Sequence, residues 1–225
     1  MEYIVIFLFF ILVLLLCIYT YNYIYDESEK LEYADDRDEY IYPTIIPNLL
    51  SNEECASLIE YSKAHLIESE IVSGSDKKIR DSKQCWIPKD NILVSELYKK
   101  LCSKFNISIN NTEDMQVVTY GPSQFYNEHH DSCCDDNEHC VDFVKGRGQR
   151  VLTVLIYLNE DFTEGETFFK NLDLKIKPNV GDAIVFYPLA KDSIYKCHPK
   201  ALHAGLPIGT GQKWVANIWF RAKAF

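Results

Sequence analysis

The sequence predicts an α+β fold: a double-stranded β-helix, or jelly roll, with supporting N-terminal helices and one transmembrane helix ahead of it. Three features predict it. The first twenty-five residues hold an apolar run almost free of polar side chains, and two stretches between 52 and 105 repeat apolar residues at helical spacing. From Met115 onward, short β-rich runs follow one another closely, parted by Gly, Pro, Asn and Asp.

Taken in order, residues 1–25 include IVIFLFFILVLLLCIYT, long enough as a helix to cross a hydrocarbon core of about 30 Å. The run lacks a charged leader and no Ala-x-Ala-like site follows, so it is expected to stay as a signal-anchor. Tyr19, Tyr21, Tyr23 and Tyr25 suit an interfacial aromatic belt, while the absence of Lys or Arg before the span leaves its orientation open. Residues 26–40, DESEKLEYADDRDEY, are strongly charged and read as a solvated stalk. Residues 41–225 are then one folded domain, within the size of a single core.

Ser51 and Glu54 form a capping-box pattern before Cys55, Leu58, Ile59 and Ser62, which predicts a helix over 52–65. Val94, Leu97, Leu101 and Phe105 predict another over 94–105. Strands are predicted at 115–120, 150–158, 166–169, 182–188 and 213–221.

The formal net charge of −10 opposes a nucleic-acid partner, which needs a basic footprint to displace counterions. Seven of the eight cysteines lie outside the anchor, and Cys133, Cys134 and Cys140 suit a short disulfide-closed loop in an oxidising lumen. The sequons Asn106-Ile-Ser108 and Asn110-Asn-Thr112 point the same way. With His139, the same cysteines also offer zinc ligands, though without the paired C-x2-C spacing of a zinc knuckle.

The chemistry concentrates in Tyr126-Asn-Glu-His-His-Asp131. On a strand, His129 and Asp131 two residues apart point to one face. A distant histidine would complete a facial triad of two histidines and a carboxylate, which leaves three metal positions open. His203, in Leu-His-Ala-Gly before the last strand, is the candidate. A His-x-Asp pair alone is more often hydrogen-bonded surface structure. Lys213, ten residues beyond His203, strengthens the case, because a lysine reaching into a barrel needs an anionic partner.

QVVTYGPSQFYNEHHD at 116–131 resembles the prolyl 4-hydroxylase family of Fe(II)/2-oxoglutarate-dependent dioxygenases, in its aromatic-Gly turn followed by Tyr-x-x-His-x-Asp. RVLTVLIYLNEDFTEGETFF, KPNVGDAIVFYP and HAGLPIGTGQKWVANIWFR are similar to the family's remaining core strands, and IIPNLLSNEECASLIEYSK to its N-terminal helix. The resemblance implies iron held by His129, Asp131 and His203, with Tyr120, Thr167 and Lys213 on the C5 carboxylate of 2-oxoglutarate. It implies Tyr126, Arg150 and Trp219 along the groove for a proline-bearing peptide. Aromatic packing for Tyr126 and Trp219, and a surface ion pair for Arg150, are the plain alternatives. The implied reaction hydroxylates peptidyl proline while 2-oxoglutarate and O2 yield succinate and CO2, with L-ascorbate rescuing uncoupled turnovers.

Two departures stand out. His130 sits between the ligands where the family has an apolar or aromatic residue, and it competes with His129 for the metal. The insert DSCCDDNEHC follows the His-x-Asp pair. A hydroxylase of peptidyl lysine or of a small molecule on the same scaffold, and a catalytically silent membrane-tethered binding protein, remain alternatives. The expected location is the endoplasmic reticulum membrane, single-pass, with the catalytic domain in the lumen. The protein substrate and oligomeric state are not legible in the sequence.

Overall fold

The runs after Met115 are strands, and they pair into two facing sheets in a computed structural model of the protein. It describes residues 11–16, 32–71 and 76–225. The larger sheet has seven strands in the order Thr44–Ile46, Ala183–Phe186, Arg150–Tyr157, Lys213–Arg221, Met115–Tyr120, Lys83–Ile87 and Ile67–Glu68. The smaller has five, in the order Leu174–Ile176, Thr167–Phe169, His203–Gly205, Phe125–His129 and Arg80–Asp81. These are the two layers of the expected jelly roll.

The large sheet explains why its strands read as unbroken apolar runs: both of its faces are covered. Along Arg150–Tyr157, Leu152, Val154 and Ile156 join the core that contains Leu58, Tyr98 and Leu101 of the helices. The alternate residues Leu155 and Tyr157 face the other way and join Phe169, Phe186 and Val215 between the sheets. Helix Asn52–Lys63 starts at the expected capping box: Glu54 N donates to Ser51 Oγ at 3.2 Å, and Ser51 N donates to Glu54 Oε2 at 2.7 Å. Its Cys55, Leu58 and Ser62 are buried, on one face. The second helix is Ser95–Phe105, closed by Asn106 in the left-handed region at φ 53°.

Several elements carry no clear sequence signal. Phe162–Glu164, His203–Gly205 and Ile208–Gly211 are strands of three or four residues, too short for a period to register. Helix Glu138–Val144 lies inside the cysteine-rich insert, capped by Asn137, whose side chain accepts from Cys140 N.

Two expectations about the N-terminal region meet the structure differently. Among the described residues, no helix is long and apolar enough to cross a membrane. Residues 11–16 are helical, and the remainder of the anchor run lies outside the described residues. The stalk was expected to be solvated through residue 40, yet residues 32–40 pack on the domain. Glu32–Tyr33 pairs in parallel with Lys196–Cys197, Tyr40 is buried against the His198 ring, and His198 Nε2 meets Asp38 O at 3.1 Å. The charge of this segment is carried by side chains that point outward, while its backbone and tyrosines do the docking. Residues 26–31 of the stalk lie outside the described residues.

Candidate active site

His203 and His129 are direct cross-strand partners at the end of the small sheet. Asp131 comes two residues after His129. The strand was expected to carry both, but it ends at His129, so Asp131 projects from the turn that follows. What aims it is Thr153 of the large sheet, whose hydroxyl donates to Asp131 Oδ2 at 2.6 Å. The other oxygen, Oδ1, lies 3.8 Å from His129 Nε2 and 3.9 Å from His203 Nε2. All three ligand atoms fall within 4.8 Å of one another.

The ring nitrogens are sorted by their partners. His129 Nδ1 meets Asn127 O at 2.8 Å and His203 Nδ1 meets Ala201 O at 3.0 Å. A carbonyl only accepts, so both Nδ1 atoms carry a proton, the tautomer that turns the Nε2 lone pair of a neutral ring toward Asp131. Burial, followed by the neighbouring His203 ring, holds His129 well below the usual imidazole range and keeps it neutral. Burial pushes the Asp131 carboxyl up, but His203, His129, Arg150 and the Thr153 hydrogen bond outweigh it and keep the group ionised. Two imidazoles and one carboxylate in this arrangement are a donor set for a divalent iron. His130 is not among the converging ligand atoms, and its ring lies against Tyr33, with centroids 5.3 Å apart.

These groups open into a cavity of about 540 Å³ between the sheets. On its wall, Lys213 is 3% exposed, and its Nζ donates to Gly165 O at 2.7 Å and Tyr157 Oη at 3.2 Å. Both partners are neutral. Burial pulls its ammonium down to about 8. A buried cation whose hydrogen bonds go to neutral oxygens fits the far carboxylate of a dicarboxylic acid. Tyr120 is the cross-strand partner of Lys213, and Thr167 Oγ1 reaches it through Tyr157 Oη, 2.8 Å away. The expected trio of Tyr120, Thr167 and Lys213 therefore comes together, with Tyr157 as an unforeseen bridge.

Tyr126 stacks on His129 with ring centroids 3.6 Å apart, and Arg80 sits 4.7 Å over its other face. Trp219 lines the cavity, with the Arg150 guanidinium 3.5 Å over its ring. Arg150 does form an ion pair, but a buried one. Both Glu113 oxygens bind it at 2.7 Å, and Arg221 Nε shares Glu113 Oε1 at 2.6 Å. The insert is closed by two disulfides, Cys133–Cys140 and Cys134–Cys197, so three of the four zinc-ligand candidates are consumed.

Sequence comparison meets this geometry. A model of the 2OG-Fe(II) oxygenase superfamily matches residues 115–221, the span from the Tyr120 strand to the end of the Lys213 strand. An Acanthamoeba polyphaga mimivirus protein provisionally named prolyl 4-hydroxylase is 48% identical over 197 residues, covering 88% of this chain and 81% of the relative. This chain belongs to the prolyl 4-hydroxylase family of 2OG-Fe(II) oxygenases. Prolyl 4-hydroxylase 1 of Arabidopsis thaliana is 29% identical over 201 residues, covering 80% of this chain and 69% of its own. Among solved structures, the 2OG complex of a viral collagen prolyl hydroxylase from Paramecium Bursaria Chlorella virus-1 superposes with a TM-score of 0.65 at 33% identity. The match covers 81% of this chain and 97% of that one. The family uses Fe(II), 2-oxoglutarate and O2, which agrees with the donor set and the buried lysine found here.

Proposed function

We propose that the protein hydroxylates proline within a peptide or protein, coupling the step to decarboxylation of 2-oxoglutarate to succinate, as a procollagen-proline 4-dioxygenase type enzyme. The observation that carries this reading is the pairing, in one cavity, of the His129, Asp131 and His203 donor set with a buried Lys213 that lacks an anion. When bound, iron(II) with 2-oxoglutarate and O2 supplies the oxidising power for C–H hydroxylation. The chain's own part is placement. His129 Nε2, Asp131 Oδ1 and His203 Nε2 would hold the metal, with only three protein ligands on it. Lys213, Tyr120 and Thr167 take the C5 carboxylate. The Phe169 and Phe186 rings, packed against His203, exclude water from the metal side. Tyr126, Arg150 and Trp219 present aromatic and guanidinium surface to an extended proline-bearing segment. L-ascorbate serves as the reductant after uncoupled turnovers.

The test is succinate formation by the full chain with Fe(II), 2-oxoglutarate and ascorbate, with and without proline-rich peptides. Expected are peptide-stimulated succinate and a peptide product gaining one oxygen atom. Stimulation by peptidyl lysine or by a small molecule alone would move the assignment to another substrate, and peptide binding without succinate would mark a silent binder.

We further propose that the apolar N-terminal run is a single-pass anchor and that the domain lies in the oxidising lumen of the endoplasmic reticulum. The disulfides Cys133–Cys140 within the insert and Cys134–Cys197 from it to the domain support this, since such bonds persist in oxidising compartments. Asn106 and Asn110 are both exposed. Expression in a eukaryotic host should therefore give a glycosidase-sensitive mass shift that is lost in Asn106→Gln/Asn110→Gln. A membrane-bound protein without the shift, and with free Cys133 and Cys140, would place the domain on the cytosolic side.

A further inference from the structure

Three carboxamides on the cavity floor have no task in the chemistry above. Gln84, Gln116 and Asn217 come from adjacent strands of the large sheet, Lys83–Ile87, Met115–Tyr120 and Lys213–Arg221. Gln116 and Asn217 are direct cross-strand partners. Asn217 Nδ2 donates to Gln116 Oε1 at 3.3 Å, and Gln116 Nε2 donates to Gln84 Oε1 at 2.7 Å. Gln84 and Gln116 are 4% exposed, and all three line the cavity.

The surrounding face is apolar, with Val118, Val215 and Leu155 as neighbours. Burying three amides there is costly unless each bond is made. The row does not close on itself. Gln84 Nε2 and Asn217 Oδ1 have no partner among the described residues. Turning all three amides over exchanges the two ends but still leaves one donor and one acceptor. A second orphan lies on the same face two residues from Asn217: Trp219 is 5% exposed, and its Nε1 has no partner. Trp86, opposite Gln116, is 40% exposed, and its ring lies 6.1 Å from that of Trp219.

We infer that the Gln84, Gln116 and Asn217 row binds the main chain of the peptide substrate beside the target proline, its acceptor end taking a backbone N–H and its donor end a backbone C=O. The inference rests on the peptide-hydroxylase reading above. A polyproline-II segment makes no internal hydrogen bonds, so its backbone groups are free for such contacts. Proline itself has no N–H. The row therefore selects a substrate with a non-proline residue near the target and disfavours unbroken polyproline.

The experiment uses the full chain and a target-proline peptide whose flanking glycines are replaced, one position at a time, by N-methylglycine. One position is expected to raise the peptide KM about tenfold, the size of one neutral hydrogen bond. N-methylation also shifts the cis/trans balance of the preceding bond, so the enzyme variant isolates the contact. Gln116→Met keeps length and burial, breaks the row, and should raise the KM of the unmethylated peptide while erasing the discrimination. KM for 2-oxoglutarate should not move. Asn217→Ala is the second variant should Gln116→Met fold poorly. Equal use of methylated and unmethylated peptides at every position, discrimination that survives both variants, or a shift confined to the 2-oxoglutarate KM would each overturn the inference. No turnover with any peptide refutes the hydroxylase reading and this inference with it, whereas turnover indifferent to N-methylation refutes this inference alone.

Discussion

Asp131→Ala is expected to lower kcat/KM by at least about a thousandfold, as happens when one member of a group that acts as a unit is removed. The reason lies in how few protein ligands there are. Only the two histidines would remain, with no carboxylate to balance a divalent metal. Apo stability should change little, because both histidines keep their backbone carbonyl partners. A thermal melt with and without Fe(II) separates the two effects, since iron raises the melting temperature only of a protein that binds it. Wild type should show the shift and Asp131→Ala should not. Thr153→Val is the graded companion: it removes the hydroxyl on Asp131 Oδ2 and should weaken iron binding by about 10–100-fold, with activity returning at high Fe(II). An iron-dependent melting shift retained in Asp131→Ala would remove Asp131 from the metal site.

Thr153 also shows where the sequence stops being legible. His129, Asp131, His203 and Lys213 could be picked out because their residue types are rare in apolar strands and their spacing matches a known pattern. Thr153 and Tyr157 sit in RVLTVLIYL, a run whose apolar residues all look alike. With both faces covered, hydropathy cannot say which alternate set faces the cavity. The face of Lys213 would have supplied that information. Val215 pairs with Tyr157 and Asn217 with Leu155, so fixing Lys213 inward carries the alternation across to both strands. The same step reaches Gln116 and Gln84. The helices and long strands were legible because capping and periodicity are local. The docking of residues 32–40 was not, because it depends on Lys196–Cys197, more than a hundred residues away. Strand alternation is not what aims Asp131: the strand ends at His129, and the turn after it and the Thr153 hydroxyl set the carboxylate.

Lys213→Met should have opposite effects on stability and on catalysis. Without 2-oxoglutarate, the wild-type cavity wall holds a buried cation whose hydrogen bonds go to the neutral Tyr157 Oη and Gly165 O. Replacing it with an apolar side chain of similar length removes that cost, so the apo variant should melt at or above the wild-type temperature. With 2-oxoglutarate the balance reverses, because truncating one partner of a buried charge pair costs roughly 2–5 kcal/mol, and the 2-oxoglutarate KM should rise by about thirtyfold or more. The wild-type pH dependence follows from the same charge. In the free protein burial lowers Lys213 to about 8, while a bound carboxylate favours the ammonium and raises it. Below about pH 8 the lysine is already protonated, and the 2-oxoglutarate KM should be flat with respect to this group. Above it, binding must take up a proton, and KM should climb by about tenfold per pH unit until the pKa of the complex is reached. Apo stability runs the other way: the folded pKa lies below the unfolded one, so the destabilising charge is present below pH 8 and is relieved as pH rises through it. Lys213→Met should lose both slopes. A wild-type KM for 2-oxoglutarate that stays flat from pH 7 to 10, or a variant that keeps the rise, would show that some other group meets the C5 carboxylate.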